Sequence, residues 1–375
     1  MDLKGKKPPA SGRRFRAIVR RGGLALGTVP AVLLLLKPFR FLRAVYPAWI
    51  RRFTDAWSAE MLRVYIFSLG GRVYIDQPAC LEAPADFAPR VEAPPEYRLS
   101  DDQVRSFYEN GFLGPFTLCP PEEMAALREE VLRDMERPSR VYGFRTGRDR
   151  HLDCESVYRL ACRCALTERL AQLMGPNLLM WRSQVFIKPP GAPAVAWHQA
   201  STYLLEHVYR PALYPPDLNV LFQLGVWVAF DDVDLANGCL QFVPGSHRRI
   251  NTIRLVSNRG GFGAASFEFD CPIDPEKVVS MEMKAGQFVI FTEQTAHGSP
   301  PNRSSRLRRG MAFRVIPPEV VAYGDAPVHR VSYLNETYDL TRWGTVVLRG
   351  NDTAGLNREF VPFPPGDKVD PQVHG

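Results

Sequence analysis

Residues 178–188 read LLMWRSQVFIK, and four further runs of the same texture follow: VLFQLGVWVAF (220–230), CLQFVPGS (239–246), GQFVIFT (286–292) and GMAFRVIP (310–317). Each is short and rich in β-branched and aromatic residues. Gly, Pro, Asn and Asp separate them, which is the punctuation of many short strands rather than of long helices. The pattern predicts a two-sheet jelly roll. Upstream the texture is helical. Ser100-Asp101-Asp102-Gln103 carries an N-cap signal, and Pro120-Pro121-Glu122-Glu123 opens the next helix in a similar way. The expected class is therefore α+β, with helices flanking a β core and a basic extension ahead of it.

The chain has 375 residues, enough for one large catalytic domain with extensions. Its charge is unevenly placed. Residues 1–52 hold thirteen Lys or Arg against the single acid Asp2, whereas the other 323 residues hold 34 basic and 39 acidic side chains. The formal +7 is thus +12 in the head and −5 in the body. A basic head gives no reason to read the body as a nucleic-acid binder. The uncharged run Gly22–Leu36 is short for a membrane span and contains Pro30. Aromatic and apolar residues mixed with Arg follow it, so residues 13–57 are expected to lie on an anionic membrane surface. Residues 76–97 are rich in Pro and Ala and read as a linker. The expected organisation is an extension over 1–75, a linker over 76–97, a catalytic domain over 98–358 and a tail over 359–375. Seven cysteines without a C-x-x-C pair argue against a disulfide framework and favour a reducing, cytoplasmic compartment.

Three residues in order carry chemistry: His198 in WHQA, His297 in TAHGSPPN, and Arg308 eleven residues later in RLRRGMAFR. Iron that must bind both an oxoacid and dioxygen needs few protein ligands on one side and open positions on the other. An Arg on a return strand would hold a carboxylate through its planar fork. His151-Leu152-Asp153 has the literal His-x-Asp spacing but precedes the strand-rich region, and it is not expected to bind metal. His207, His247, His329 and His374 are expected to be surface or structural.

These residues, with NGFLGPF (110–116), DRHLD (149–153), GPNLLMWR (175–182), ANGCLQFVPGS (236–246) and MKAGQFVIF (283–291), resemble the phytanoyl-CoA dioxygenase superfamily. Within it the chain is most similar to the 2-oxoglutarate-dependent halogenases of the syringomycin type. The resemblance implies a cupin-like double-stranded β-helix, Fe(II) held by His198 and His297, 2-oxoglutarate held by Arg308 with Trp227, and dioxygen as co-substrate. Hydroxylases of the superfamily place Asp two residues after the first His, whereas this chain and the halogenases have Ala, here Ala200. Alanine offers no donor atom, which implies a coordination site for chloride, and Arg314 matches an Arg near the halide. Two departures stand against this. Glu293 occupies a position where halogenases have Ser, and Tyr203 and Leu205 replace a Phe and an Asn of the pocket. Glu293 is therefore weighed as a surrogate iron ligand that would restore hydroxylation, or as a partner for a nearby Arg. A third reading is a non-catalytic member of the fold. The substrate class is a small or lipid-like molecule, with a carrier protein as an optional partner.

Overall fold

The computed structural model describes residues 67, 72–73, 81, 83–199, 212–216, 220–248, 253–255, 267–269, 273–331, 336–361 and 363. The chain divides into two compact units. The smaller comprises 1–77, 250–256 and 267–271, and its described part is a three-stranded antiparallel sheet in which Arg72–Val73 pairs with Ile253–Leu255, itself paired with Phe267–Phe269. Two segments of this unit, 250–256 and 267–271, come from within residues 98–358. Most of the basic head and its expected membrane-surface segment lie outside the described residues. Among the described residues no helix is long and apolar enough to cross a membrane.

The larger unit begins at Pro78. Its helices are α1 (Asp101–Asn110), α2 (Pro121–Met135), α3 (Glu155–Ala161) and α4 (Cys164–Met174). Ser100 caps α1 as its sequence predicts: its side chain accepts from the Gln103 N–H, and the Gln103 side chain accepts from the Ser100 N–H. Residues 83–97 are no free tether. Phe87, Val91 and Tyr97 pack on the core, and the Arg90 N–H donates to the Gln172 carbonyl at 2.8 Å. Pro and Ala break the periodicity of this stretch, and its scattered apolar residues still bury against α4.

Two larger antiparallel sheets form the β core, beside two short two-stranded pairs, Leu213–Tyr214 with Val321–Ala322 and Val328–Val331 with Glu336–Asp339. Ten strands in chain order build the two larger sheets: β1 (Phe112–Thr117), β2 (Leu178–Lys188), β3 (Val195–His198), β4 (Leu224–Ala229), β5 (Leu240–Phe242), β6 (Val279–Met281), β7 (Gln287–Phe291), β8 (His297–Ser299), β9 (Arg308–Ile316) and β10 (Val346–Arg349). The six-stranded sheet has the order β10-β2-β9-β4-β7-β1, and the four-stranded sheet has the order β6-β5-β8-β3. β4 is buried at every position, because the larger sheet is covered on both faces. Leu224, Val226 and Val228 join the cluster that contains the apolar faces of α1 to α4. Trp227 and Ala229 point the other way and pack with Val289, Phe291 and Ala312 against Leu240, Phe242 and Met281 of the smaller sheet. The period-two alternation of side chains thus sorts one apolar run into two cores. Helices, large sheet and small sheet make three layers, and the space between the sheets is where the polar residues of interest converge.

Candidate metal and oxoacid centre

In the small sheet, His198 at the end of β3 and His297 at the start of β8 are Cα partners, and His297 is also the partner of Phe242 on β5. Directly opposed residues face the same side of a sheet, so both imidazoles and the Phe242 ring form one row. The imidazole centroids lie 4.3 Å apart, and Phe291 of the large sheet meets the His297 ring edge-on at 5.2 Å. Each ring is fixed by the backbone two residues before it: Nδ1–H of His198 donates to the Ala196 carbonyl at 2.8 Å, and Nδ1–H of His297 donates to the Thr295 carbonyl at 2.7 Å. A carbonyl can only accept, so the proton sits on Nδ1 and the lone pair on Nε2. Burial pushes the pKa of His198 down to about 3, helped by His297, and burial lowers that of His297 to about 4. Both rings are therefore neutral donors at neutral pH, which is the protonation state a metal requires.

The segments around them are pinned. Gln199, buried beside His198, donates through Nε2 to the carbonyls of Ser246 and Gln294. The Thr295 hydroxyl donates to the Gly111 carbonyl at 2.8 Å, which ties the β7–β8 turn to the junction of α1 and β1. Neither residue was singled out in the sequence, although Gln199 belongs to the WHQA motif.

Facing the small sheet, β2, β9 and β4 present a register of paired residues: Lys188 with Arg308, Gln184 with Ala312 and Trp227, and Arg182 with Arg314 and Gly225. Two cationic ends result. At one, Arg308 is 4% exposed, stacks over the Trp227 ring with 4.9 Å from Cζ to the centroid, and has no hydrogen-bond acceptor for Nε among the described residues. Burial lowers its pKa to about 10, which leaves it charged. Gly310 makes the stacking possible, because a Cβ there would lie 2.1 Å from a Trp227 ring carbon. Lys188, to which the sequence assigned no role, is equally buried beside it.

At the other end Arg314 Nε lies 3.3 Å from Glu293 Oε1. Glu293 is 4% exposed and sits over Gly225, where a Cβ would meet Oε1 at 2.6 Å. Of the two roles weighed for Glu293, its placement draws the ion pair. Among the described residues no set of three His, Cys, Asp or Glu side chains is disposed to hold a metal ion. Ala200, Tyr203, Leu205 and His207 lie outside the described residues.

Three of the other histidines are described, and all three are buried. His151 is fully buried against the Ser183 hydroxyl at 2.9 Å, and Asp153 is taken by Arg150 at 2.8 Å. His247 Nε2–H donates to the Tyr108 carbonyl at 3.0 Å. His329 is buried against Tyr323, and His374 is outside the described residues. The five described cysteines are free thiols.

Comparison with known proteins places this geometry. Residues 107–310 match the family model of phytanoyl-CoA dioxygenase. The zebrafish (Danio rerio) phytanoyl-CoA dioxygenase domain-containing protein 1 is 32% identical over 228 residues, covering 59% of this chain and 67% of that protein. A probable alpha-ketoglutarate-dependent hypophosphite dioxygenase of Stutzerimonas stutzeri is 24% identical over 227 residues, covering 56% and 75% of the two chains. Among solved structures, CytC3 with Fe(II) and alpha-ketoglutarate superimposes with a TM-score of 0.56 at 27% identity, over 70% of this chain and 94% of that one. Two strand-borne histidines and a buried arginine between antiparallel sheets, together with a family match over more than half of the sequence, identify the chain as a member of the phytanoyl-CoA dioxygenase family of non-haem iron, 2-oxoglutarate-dependent enzymes.

Proposed function

We propose that the protein uses Fe(II), 2-oxoglutarate and dioxygen to functionalise an unactivated C–H bond, with the metal on His198 and His297. The observation that carries this is the pair of neutral imidazoles whose Nδ1 protons are held by backbone carbonyls, leaving two Nε2 lone pairs side by side. Imidazole nitrogen suits Fe(II), and a backbone acceptor behind each ring fixes tautomer and orientation. Arg308 fits the far carboxylate of 2-oxoglutarate, because it is a buried fork without a carboxylate partner among the described residues, set over Trp227. The iron and the oxoacid, when bound, supply the oxidising chemistry; the protein binds, orients and excludes water. In this reading the two sheets are the halves of a double-stranded β-helix, and 98–358 is the catalytic domain.

Ala200 supports chlorination as the outcome, since a side chain without donor atoms leaves a metal position for chloride and Arg314 supplies a cation nearby. One observation favours hydroxylation instead: Arg314 already has a buried anion, Glu293, against which a halide would be repelled. The basic head supports membrane-surface association and a lipid-like or carrier-presented substrate.

Anaerobic titration with Fe(II) and 2-oxoglutarate should give a weak visible charge-transfer band, absent from a His198→Ala, His297→Ala double variant. Persistence of the band in that variant would refute the ligand assignment. Adding bromide to the loaded wild-type protein decides the outcome. A shifted band that Ala200→Asp abolishes supports chlorination, and a band indifferent to bromide until Glu293→Ser is introduced supports hydroxylation.

A further inference from the structure

We propose that Lys188 is a second cation for the distal carboxylate of the oxoacid, so that Lys188 and Arg308 together select a dicarboxylic 2-oxoacid over a monocarboxylic one. The inference rests on the reading of Arg308 given above. Lys188 ends β2 directly opposite Arg308 on β9, and the two are 3% and 4% exposed. The Lys188 ammonium donates to the Ser299 hydroxyl at 2.8 Å and to the Pro300 carbonyl. Both acceptors are neutral. An ammonium has three N–H groups, and two are used. Gly238 leaves room for the side chain, since a Cβ there would stand 3.2 Å from Nζ.

The groups facing Lys188 are Arg308 from β9, Ser299 from β8 and the buried Cys239 beside Gly238. Burial pushes the Cys239 thiol up to about 12, so it carries no negative charge at neutral pH. None of these neighbours is a carboxylate. Two positive charges are therefore held side by side away from water without a counterion among the described residues, an arrangement stabilised when an anion with two oxygens enters. A monocarboxylic 2-oxoacid spends its only carboxylate at the metal and cannot serve here. Burial and the charge of Arg308 lower the Lys188 pKa to about 8. An entering carboxylate raises it again, so binding takes up a proton once the pH exceeds that value, and affinity falls as pH rises through it.

A purely structural Lys188, a strut from β2 to β8, would leave selectivity and proton uptake untouched. The test is calorimetric titration of the full chain with Fe(II) under anaerobic conditions between pH 6.5 and 9, using 2-oxoglutarate and 2-oxopentanoate, which lacks the distal carboxylate. The wild type should prefer 2-oxoglutarate, bind it more weakly above about pH 8, and show heats that depend on the buffer's ionisation enthalpy. Lys188→Met should bind 2-oxoglutarate on the order of 10- to 100-fold more weakly at pH 7, with 2-oxopentanoate binding unchanged and the proton uptake gone. Lys188→Arg, a safeguard should the Met variant not fold, should keep the selectivity and lose the alkaline decline. Equal weakening for both oxoacids in Lys188→Met, or an alkaline decline retained in Lys188→Arg, would overturn the inference while leaving Arg308 in place. A wild type that binds neither oxoacid would overturn the reading of the whole site and this inference with it.

Discussion

At Gly310 the absence of a side chain is what lets Trp227 lie flat beneath Arg308. A methyl group at this position would collide with three ring atoms at 2.1 to 2.6 Å, all belonging to a rigid indole with large buried neighbours. Overpacking of this kind costs about 1–3 kcal/mol. Gly310→Ala should therefore lower the melting temperature by several degrees and, because Trp227 must move, weaken 2-oxoglutarate binding with a visible change in tryptophan fluorescence. Unchanged fluorescence with normal binding would show that the ring relaxes freely. The residues of the site were unequally legible. His198, His297 and Arg308 announce themselves by order and spacing, since a His before a long gap and an Arg eleven residues after the second His mean little separately and much together. Lys188 and Gly310 could not be found that way. A lysine closing an apolar run reads as a strand end reaching water, and a glycine reads as a turn; both acquire meaning only from the partner strand, which the chain does not specify locally.

Between elements, one carboxylate holds three pieces together. Asp231, just past β4, accepts from the Arg309 backbone N–H at 2.9 Å, from Arg309 Nε and Nη2 at 2.8 Å each, and from Arg128 Nη1 on α2 at 2.8 Å. Its side chain is 13% exposed, so the pairs are partly shielded from water. Removing it leaves two half-buried guanidinium groups and a strand N–H without their acceptor. Asp231→Ala should destabilise the fold by about 2–4 kcal/mol, measured by denaturant unfolding. A loss below about 1 kcal/mol would show that the network behaves as ordinary surface pairs. The strands it connects were readable one by one: LLMWRSQVFIK coincides with β2 residue for residue. Their order was not, because β2 pairs with β9 across more than a hundred residues and no local pattern encodes such a partner. The same limit explains 83–97, where irregular composition concealed a segment docked on α4.

For the molecule as a whole, the buried histidines make stability depend on pH. His151 has no exposure, and burial holds its pKa at about 4 against 6.5 for the free side chain. His247 is lowered for the same reason. Between these pH limits the unfolded chain binds a proton that the folded His151 refuses, so stability rises with pH through this window and is lost as the pH falls from 6.5 toward 4. A shift of this size is worth on the order of 3 kcal/mol in full, with about 2 kcal/mol already gone at pH 5. The contribution of His151 can be isolated by comparing wild type with His151→Gln in urea at pH 7, 6 and 5. The variant should be less stable at pH 7, because it loses the packing and the Ser183 contact, yet its stability should fall less steeply, so that the two curves converge toward pH 5. Parallel curves would mean that His151 already titrates near its free value and that its burial is relieved by water the fold admits.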